Sequence, residues 1–567
     1  MHLTPVVLGL AFLLPAPPPA ADDALSALLP EGRLAEVHVP SGKAVWDSEL
    51  GRRIHTLLED QGAFDELQDG LAALRMVTGS DPTRLIELVL GGELELGVYP
   101  TVRKNSDKPD MRNRKVLAVA RTGDADGLAL AMNALDAVLA ASPDAKVKNG
   151  RHRKQPFLRF DDASLARVDD MLLFATDQHL LTGALDRWLD GASDVVATPF
   201  EGLASFELDT RLFRAKDIAL LRTPTRKLLG KRLANPLANL LFGGLTVGEG
   251  TLHGTLTGSG EEIELDVCLP PVPDDAPRAW FPPEPATTTA MPVTPDTLAV
   301  LSLRRDLADW WRNRETYMPD GAQPALAKAD QNMALIFAGQ SPAEDVFGQA
   351  STEMALIVDR QRFEGGPAVP DVRLPAFCLV TPLRDPAQFT PTLSVAFQTL
   401  MGVINTDRAQ NSKAPFLLDT VPHEGIGVRA AQLLAGAGSG GMGEPAAIDF
   451  NFSPAVAVVD GWALVGTSAE QVRRLVSALH AGEMTEARGV LSAHIDAERV
   501  LDALEDNRGA LIAQEMLDDG LGPEEAAAEV DGLLGLVAGV HSVAGSLTRQ
   551  DDCLHADFDL VLNDISP

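Results

Sequence analysis

Two widely separated stretches of this chain share one layout, and that layout constrains the fold more than any other feature of the sequence. One runs from Val168 to Thr176, an apolar run behind an acidic turn, and continues as the amphipathic segment Asp177 to Gly191. The other runs from Val459 to Thr467 and continues from Ser468 to Gly482. Each reads as a strand, a Thr-centred helix start, a helix and a glycine stop. Five of the 24 ungapped positions are identical (Val, Asp, Leu, Thr and the final Gly), so the pair gains meaning only if its flanks repeat too.

The flanks do repeat. Leu34 to Val39 alternates as a half-buried strand should, its counterpart is Leu298 to Leu303, and each follows a proline and an acid, Pro30-Glu31 and Pro295-Asp296. Helical periodicity follows over Ser48 to Leu90 and, more loosely, over Asp306 to Gly348. Strands are expected at Leu94 to Tyr99 and Met354 to Val358, then at Val116 to Ala120 and Phe377 to Thr381. Asp124 and Asp385 stand where an N-cap or first-turn acid would satisfy free backbone N–H groups, ahead of helices through Leu139 and Leu400. Phe157 to Phe160 and Ile448 to Phe452 read as strands leading into the opening unit. Ala204 to Leu208 and Leu491 to Ile495 follow it, with Asp209 and Asp496 next in line.

The match is closest at the end of each copy. Gly254-Thr255-Leu256-Thr257 corresponds to Gly545-Ser546-Leu547-Thr548, and the same spacing sets Glu262, Glu264, Asp266 and Cys268 against Cys553, His555, Asp557 and Asp559. Strand alternation puts each foursome on one face, with Ile263, Leu265 and Val267 or Leu554, Ala556 and Phe558 on the other, so one face is expected to be wet in both copies.

Between the copies, Pro270 to Pro295 holds nine prolines in 26 residues, a composition that excludes a sheet interior and favours extended polyproline geometry. This marks a linker over 270–295 between repeat domains at 27–269 and 296–563. Trp280-Phe281 inside it is too apolar for a solvated linker and is expected to dock on one domain. Helices and hairpins alternate without the regular βαβα order of a doubly wound sheet. The fold class is therefore α+β: two tandem homologous domains, each a largely antiparallel sheet with a split βαβ (ferredoxin-like) core plus added strands and helices.

At the amino terminus, Val6 to Leu14 is apolar and is followed by a proline- and alanine-rich stretch and the acidic pair Asp22-Asp23. The run is too short to cross a hydrocarbon layer, which takes about 20 helical residues, and suits a secretory signal over 1–21. A disordered tail is the alternative, since no Lys or Arg precedes the run. The signal implies export to the periplasm or beyond, and no later stretch is long and apolar enough to span a membrane. The net charge is −32; residues 301–567 carry 18 Lys+Arg against 38 Asp+Glu, which disfavours nucleic acid and anionic lipid as partners. Three cysteines, Cys268, Cys378 and Cys553, lie in apolar runs without paired spacing and read as free thiols.

Chemistry is sparse. Gly436 to Gly441 fits GxGxxG but lies between two strand-like runs and opens no helix, so it reads as a hairpin loop. His423-Glu424 begins like a zinc-protease motif, but Gly427 stands where the second imidazole belongs. Cys553, His555, Asp557 and Asp559 have strand spacing that can converge on a cation, and equally read as a solvated strand face. Arg103, Lys104, Arg112, Arg114 and Lys115, with Lys146, Lys148, Arg151, Arg153 and Lys154, fall in the hairpin loops of the first copy only. They suit either an anion-binding patch or two solvated loops. No Ser/His/Asp set shows a local frame, although triads also assemble from distant positions.

The proline-acid-strand opening, the Val459-Asp460-Gly461 unit ending in Gly466-Thr467-Ser468, and the tandem architecture behind an export signal resemble an uncharacterised bacterial family, domain of unknown function 3352. The first copy departs from it with Asp170 for the turn glycine and Ala175 for the glycine before Thr. The resemblance implies export and repetition and supplies no activity. The expectation is a non-catalytic binding or scaffold protein of the periplasm or cell envelope, with an unidentified protein, glycan or lipid ligand and no assigned catalytic, cofactor or metal residue. A cell-envelope hydrolase using Asp209 and Asp496 is the alternative, with helix capping as the competing role for both residues; a carrier of apolar cargo is a third class.

Overall fold

The computed structural model describes residues 25–48, 51–52, 88–89, 91–102, 109–141, 147–160, 163–191, 202–210, 239–240, 250–270, 277–283, 290–318, 322–363, 368–411, 413–433, 448–518, 520–550 and 553–563. The expected signal at 1–21, nearly all of the helical stretch after Ser48 and the glycine loop at 436–441 lie outside these residues. The chain divides into two compact units: 1–222 with 247–271 and 555–557, and 223–246 with 272–554 and 558–567.

In the first unit, β1 (Ala35–Val39) leads through α1 (Gly42–Asp47) towards β2 (Glu93–Val102) and β3 (Pro109–Arg121). Then come α2 (Ala125–Ala141), β4 (Lys148–His152), β5 (Gln155–Arg159), β6 (Ser164–Val168), β7 (Met171–Ala175) and α3 (Gln178–Leu189). The described elements of this unit close with β8 (Ala204–Asp209), β9 (Thr251–Ser259) and β10 (Glu262–Leu269). Hydrogen bonding sets the strands in the order β10-β9-β8-β1-β2-β3-β7-β6-β5-β4, antiparallel at every step. On one face, Leu181, Ala184 and Leu185 of α3 pack with Leu117, Val119, Ala166 and Leu173. These apolar positions alternate along the strands and recur at helical spacing in α3, which is why one sheet face and one helix face close on each other.

The second unit begins with β11 (Ala290–Pro292), β12 (Thr297–Arg304), α4 (Leu307–Tyr317), α5 (Gln323–Ile336), β13 (Glu353–Asp359) and β14 (Ala376–Pro382). It continues with α6 (Pro386–Gln410), β15 (Leu417–His423), β16 (Ile426–Gln432), β17 (Ala455–Val459), β18 (Trp462–Gly466), α7 (Ala469–Ala481) and β19 (Met484–Glu486). After β20 (Leu491–Asp496) come α8 (Ala497–Glu505), α9 (Arg508–Asp518), α10 (Pro523–Ala538), β21 (Val540–Arg549) and β22 (Leu554–Leu562), of which residues 555–557 cluster with the first unit. The sheet order is β21-β20-β12-β13-β14-β18-β17-β16-β15, again antiparallel throughout, while β11 pairs with β19. α7 buries Val472, Leu475 and Val476 against Val300, Ile357, Cys378, Val380 and Leu464 on one face. Phe389, Leu393, Phe397 and Met401 of α6 pack with Val456 and Ala463 on the other. No helix among the described residues is long and apolar enough to cross a membrane.

The fold is thus mixed helix and antiparallel sheet, as the α+β expectation requires. The ferredoxin-like core does not describe these pairings. β12 and β13, joined through α4 and α5, lie side by side and antiparallel, whereas a split βαβ places a third strand between two parallel ones. Ile448–Asn451 is a short 3₁₀ turn rather than the expected strand. Its Asn451 side chain accepts from Leu374 N and donates to the Val372 and Ile448 carbonyls, holding the backbone out of the ladder.

The expected caps are present. Asp124 accepts from Gly127 N at 2.8 Å and Asp385 from Gln388 N at 3.0 Å. Gly482 ends α7 in the left-handed region at φ +71°. Asp169, Asp460 and Gly461 also have positive φ, the backbone of a tight hairpin turn. A Cβ on Gly466 would lie 2.6 Å from Val472, so the glycine before Thr467 lets α7 close onto β18. Trp280 and Phe281 are buried on the second unit, where Trp280 Nε1 donates to the Asn239 carbonyl and its ring lies 5.0 Å from that of Tyr317.

Candidate functional site

The register of the first unit lines up Glu95, His38, Ser205, Thr255 and Asp266 across five neighbouring strands, all on one sheet face. Glu95, His38 and Ser205 are buried, and His38 Nδ1 lies 2.9 Å from Glu95 Oε2. A buried imidazole and carboxylate in contact sustain each other only as a hydrogen-bonded pair, because either one alone pays the full desolvation penalty. Alternation alone reads His38 and Glu95 as solvated strand positions, so the sequence gives no sign of this pair. In the second unit the positions corresponding to Glu95, His38, Ser205 and Thr255 are Ala355, Ser302, Ser492 and Ser546, none of them ionisable.

At the far end of the first unit's row, His555 Nε2 is 2.8 Å from Asp266 and its Nδ1 is 3.2 Å from Asp557. These three residues each offer one ligand atom, all within 4.8 Å of one another. The expected foursome is therefore divided: His555 and Asp557 face the strand that carries Asp266, whereas Cys553 is buried. The wet-face expectation fails at Cys553 because burial there is set by tertiary packing, not by alternation.

A second polar cluster gathers at the β15–β16 hairpin tip. His423 Nε2 lies 2.9 Å from Ser477 Oγ, Ser477 Oγ donates to Glu424 Oε1 at 2.5 Å, and His480 Nδ1 is 2.9 Å from Glu424 Oε2. His480 Nε2 is 3.5 Å from Asp460. The hydrogen bond from Ser477 and then that with His480 hold the Glu424 carboxyl below its usual range. Ser477 and His480 are three apart on α7 and so share a helix face. With Ser477 Oγ–H directed at Glu424, the serine is not poised to give its proton to His423, and the cluster reads as a latch between hairpin and helix.

Asp496 Oδ1 accepts from Arg499 N at 3.0 Å as the N-cap of α8, which removes it as a free catalytic acid. Asp209 ends β8, and its backbone N–H donates to the Leu34 carbonyl. Of the basic residues, Lys115 pairs with Asp177 at 2.5 Å, and Arg153 with Asp186 and Asp190 at 3.1 and 2.9 Å. Arg103, Lys104 and Lys146 lie outside the described residues. The cations that are described are thus in part neutralised locally rather than held free for an anion. Cys268, Cys378 and Cys553 are free thiols, as expected, and burial pushes the Cys378 thiol well up.

The second sheet carries an apolar row on the face opposite α7. Leu301, Leu356, Leu379 and Val465 are successive register partners, with Ala493 beyond Leu301. A parallel row holds Ile495, Ala299, Val358 and Phe377. Leu379 and Val465 are each 42% exposed, and Phe377 and Ile495 each 38%. Central strands normally cover such positions, so apolar exposure in mid-sheet is the feature of this surface that packing leaves unexplained.

No protein-family model matches the chain, and no curated protein matches it. Among solved structures, crystal forms III and I of TP0453 are similar at 7% sequence identity, with TM-scores of 0.23 and 0.22. Those matches cover 43% of this chain and 78% and 77% of the TP0453 chains. A likeness of that size assigns neither fold nor function.

Proposed function

We propose that this chain is an exported, non-catalytic binding protein whose working surface is the apolar sheet face of the second unit. The observation that carries the reading is the row Leu301, Leu356, Leu379 and Val465, continuous in register and exposed at Leu379 and Val465. Three strand spacings make the row roughly 14 Å long. A flat, pleated apolar strip of that length, in a half of the chain rich in carboxylates, fits a protein surface with an apolar centre and a basic rim. Duplication of one α+β unit and secretion behind an amino-terminal signal belong to the same reading, as does a place near the family of domain of unknown function 3352. The matching strand orders support the duplication. Divergence of the two polar rows, ionisable in one unit and serine-rich in the other, supports separate roles for the copies.

The hydrolase alternative loses its best support with Asp496 committed to a cap. A photo-crosslinking residue at position 379, introduced in the native host, tests the binding reading. One discrete protein adduct, absent when the crosslinker stands at the exposed Leu517 of α9, is the expected result. No adduct at 379, or a turnover activity abolished by a single substitution, overturns it.

A further inference from the structure

We propose that Asp266, His555 and Asp557 bind a divalent transition-metal cation through one imidazole and two carboxylates. Neutral imidazole has one N–H, yet both ring nitrogens of His555 face carboxylate oxygens, at 2.8 and 3.2 Å. The ring is thus held between the two carboxylates, one on each nitrogen. A divalent transition-metal cation takes imidazole nitrogen and carboxylate oxygen donors together.

The geometry suits such a cation. Asp266 sits on β10, while His555 and Asp557 are two apart on β22 and so project from one strand face. Their ligand atoms lie within 4.8 Å of one another, and metal–ligand bonds of about 2.0–2.2 Å are reached from there by side-chain rotation. Three protein ligands with exposed surroundings leave a coordination position for water or an incoming group. The donor set escaped the sequence because Asp266 and His555 are brought together only by the fold.

Zn²⁺ is the probe. The full-length chain, stripped with chelator, is titrated with Zn²⁺ by calorimetry and weighed by native mass spectrometry. One Zn²⁺ per chain is expected. Asp266→Asn, His555→Gln and Asp557→Asn should each weaken binding at least about tenfold, the loss known for disturbing even a ligand's supporting partner. Asp559→Asn, on the same strand but outside the group, should leave affinity unchanged, and circular dichroism of each near-isosteric variant checks that it is folded. Absence of stoichiometric Zn²⁺, or binding that survives all three substitutions, overturns the proposal.

Discussion

Thr467 is tied to Phe377 twice. The Phe377 N–H donates to Thr467 Oγ1 at 2.9 Å, and the Thr467 N–H donates to the Phe377 carbonyl at 2.8 Å. Thr176 and Val116 make the same two bonds at 2.8 and 2.9 Å in the first unit. The threonine that looks like a helix start is therefore a staple at the end of a strand pair. Asp177 caps α3 by accepting from His179 N, and Ser468 makes no side-chain cap bond to α7. Thr467→Val keeps the shape and removes the hydroxyl acceptor. It is expected to cost about 1 kcal/mol in urea denaturation, whereas Thr467→Ser should cost less because the acceptor stays.

Asp496 separates a capping role from a catalytic one. Asp496→Ala should destabilise the protein by about 1 kcal/mol, and Asp496→Asn, whose side-chain oxygen still accepts from Arg499 N, by much less. Equal losses for the two variants in thermal or urea unfolding would count against the cap.

Glu424 should impose a pH dependence with a definite sign. Its folded-state pKa lies below the usual carboxyl range, first through the Ser477 hydrogen bond and then through His480. A depressed carboxyl contributes stability that is fully present above the unfolded pKa and is lost as pH falls through the folded one. Between pH 4.5 and lower values the wild type should therefore lose stability more steeply than Glu424→Gln, and urea midpoints measured across that window decide the matter.

Leu379 and Val465 are expected to matter for binding and hardly at all for stability. At 42% exposure each, Leu379→Ser and Val465→Ser should each shift unfolding by roughly 0.5 kcal/mol or less, and Val465→Ser should abolish the adduct formed from the crosslinker at position 379. Leu475→Ala is the counter-case: Leu475, on the buried face of α7, is 0% exposed, and its truncation should cost about 2–5 kcal/mol.

The element pattern was legible because it is local. Alternation marked β1, β13, β14 and β20, the acids ahead of α2 and α6 marked caps, and Trp280-Phe281 announced its docking by being too apolar for a linker. Two structural features resisted the same reasoning. Asn451 turns an apolar run into a 3₁₀ turn through bonds to Val372 and Leu374, far away in sequence. The antiparallel contact of β12 with β13 depends on pairing partners, about which element order alone is silent.

The sequence by itself determined the class of structure, mixed helix and antiparallel sheet, since propensity, periodicity and capping act over a few residues. Tertiary structure alone decided which polar residues meet. His38 found Glu95, Asp266 found His555, and the hairpin tip found His480 only after strands distant in sequence came into register. It also decided that Leu379 and Val465, apolar like their buried neighbours, stay exposed. Burial depends on what packs over a residue, and strand alternation records only which face that residue occupies.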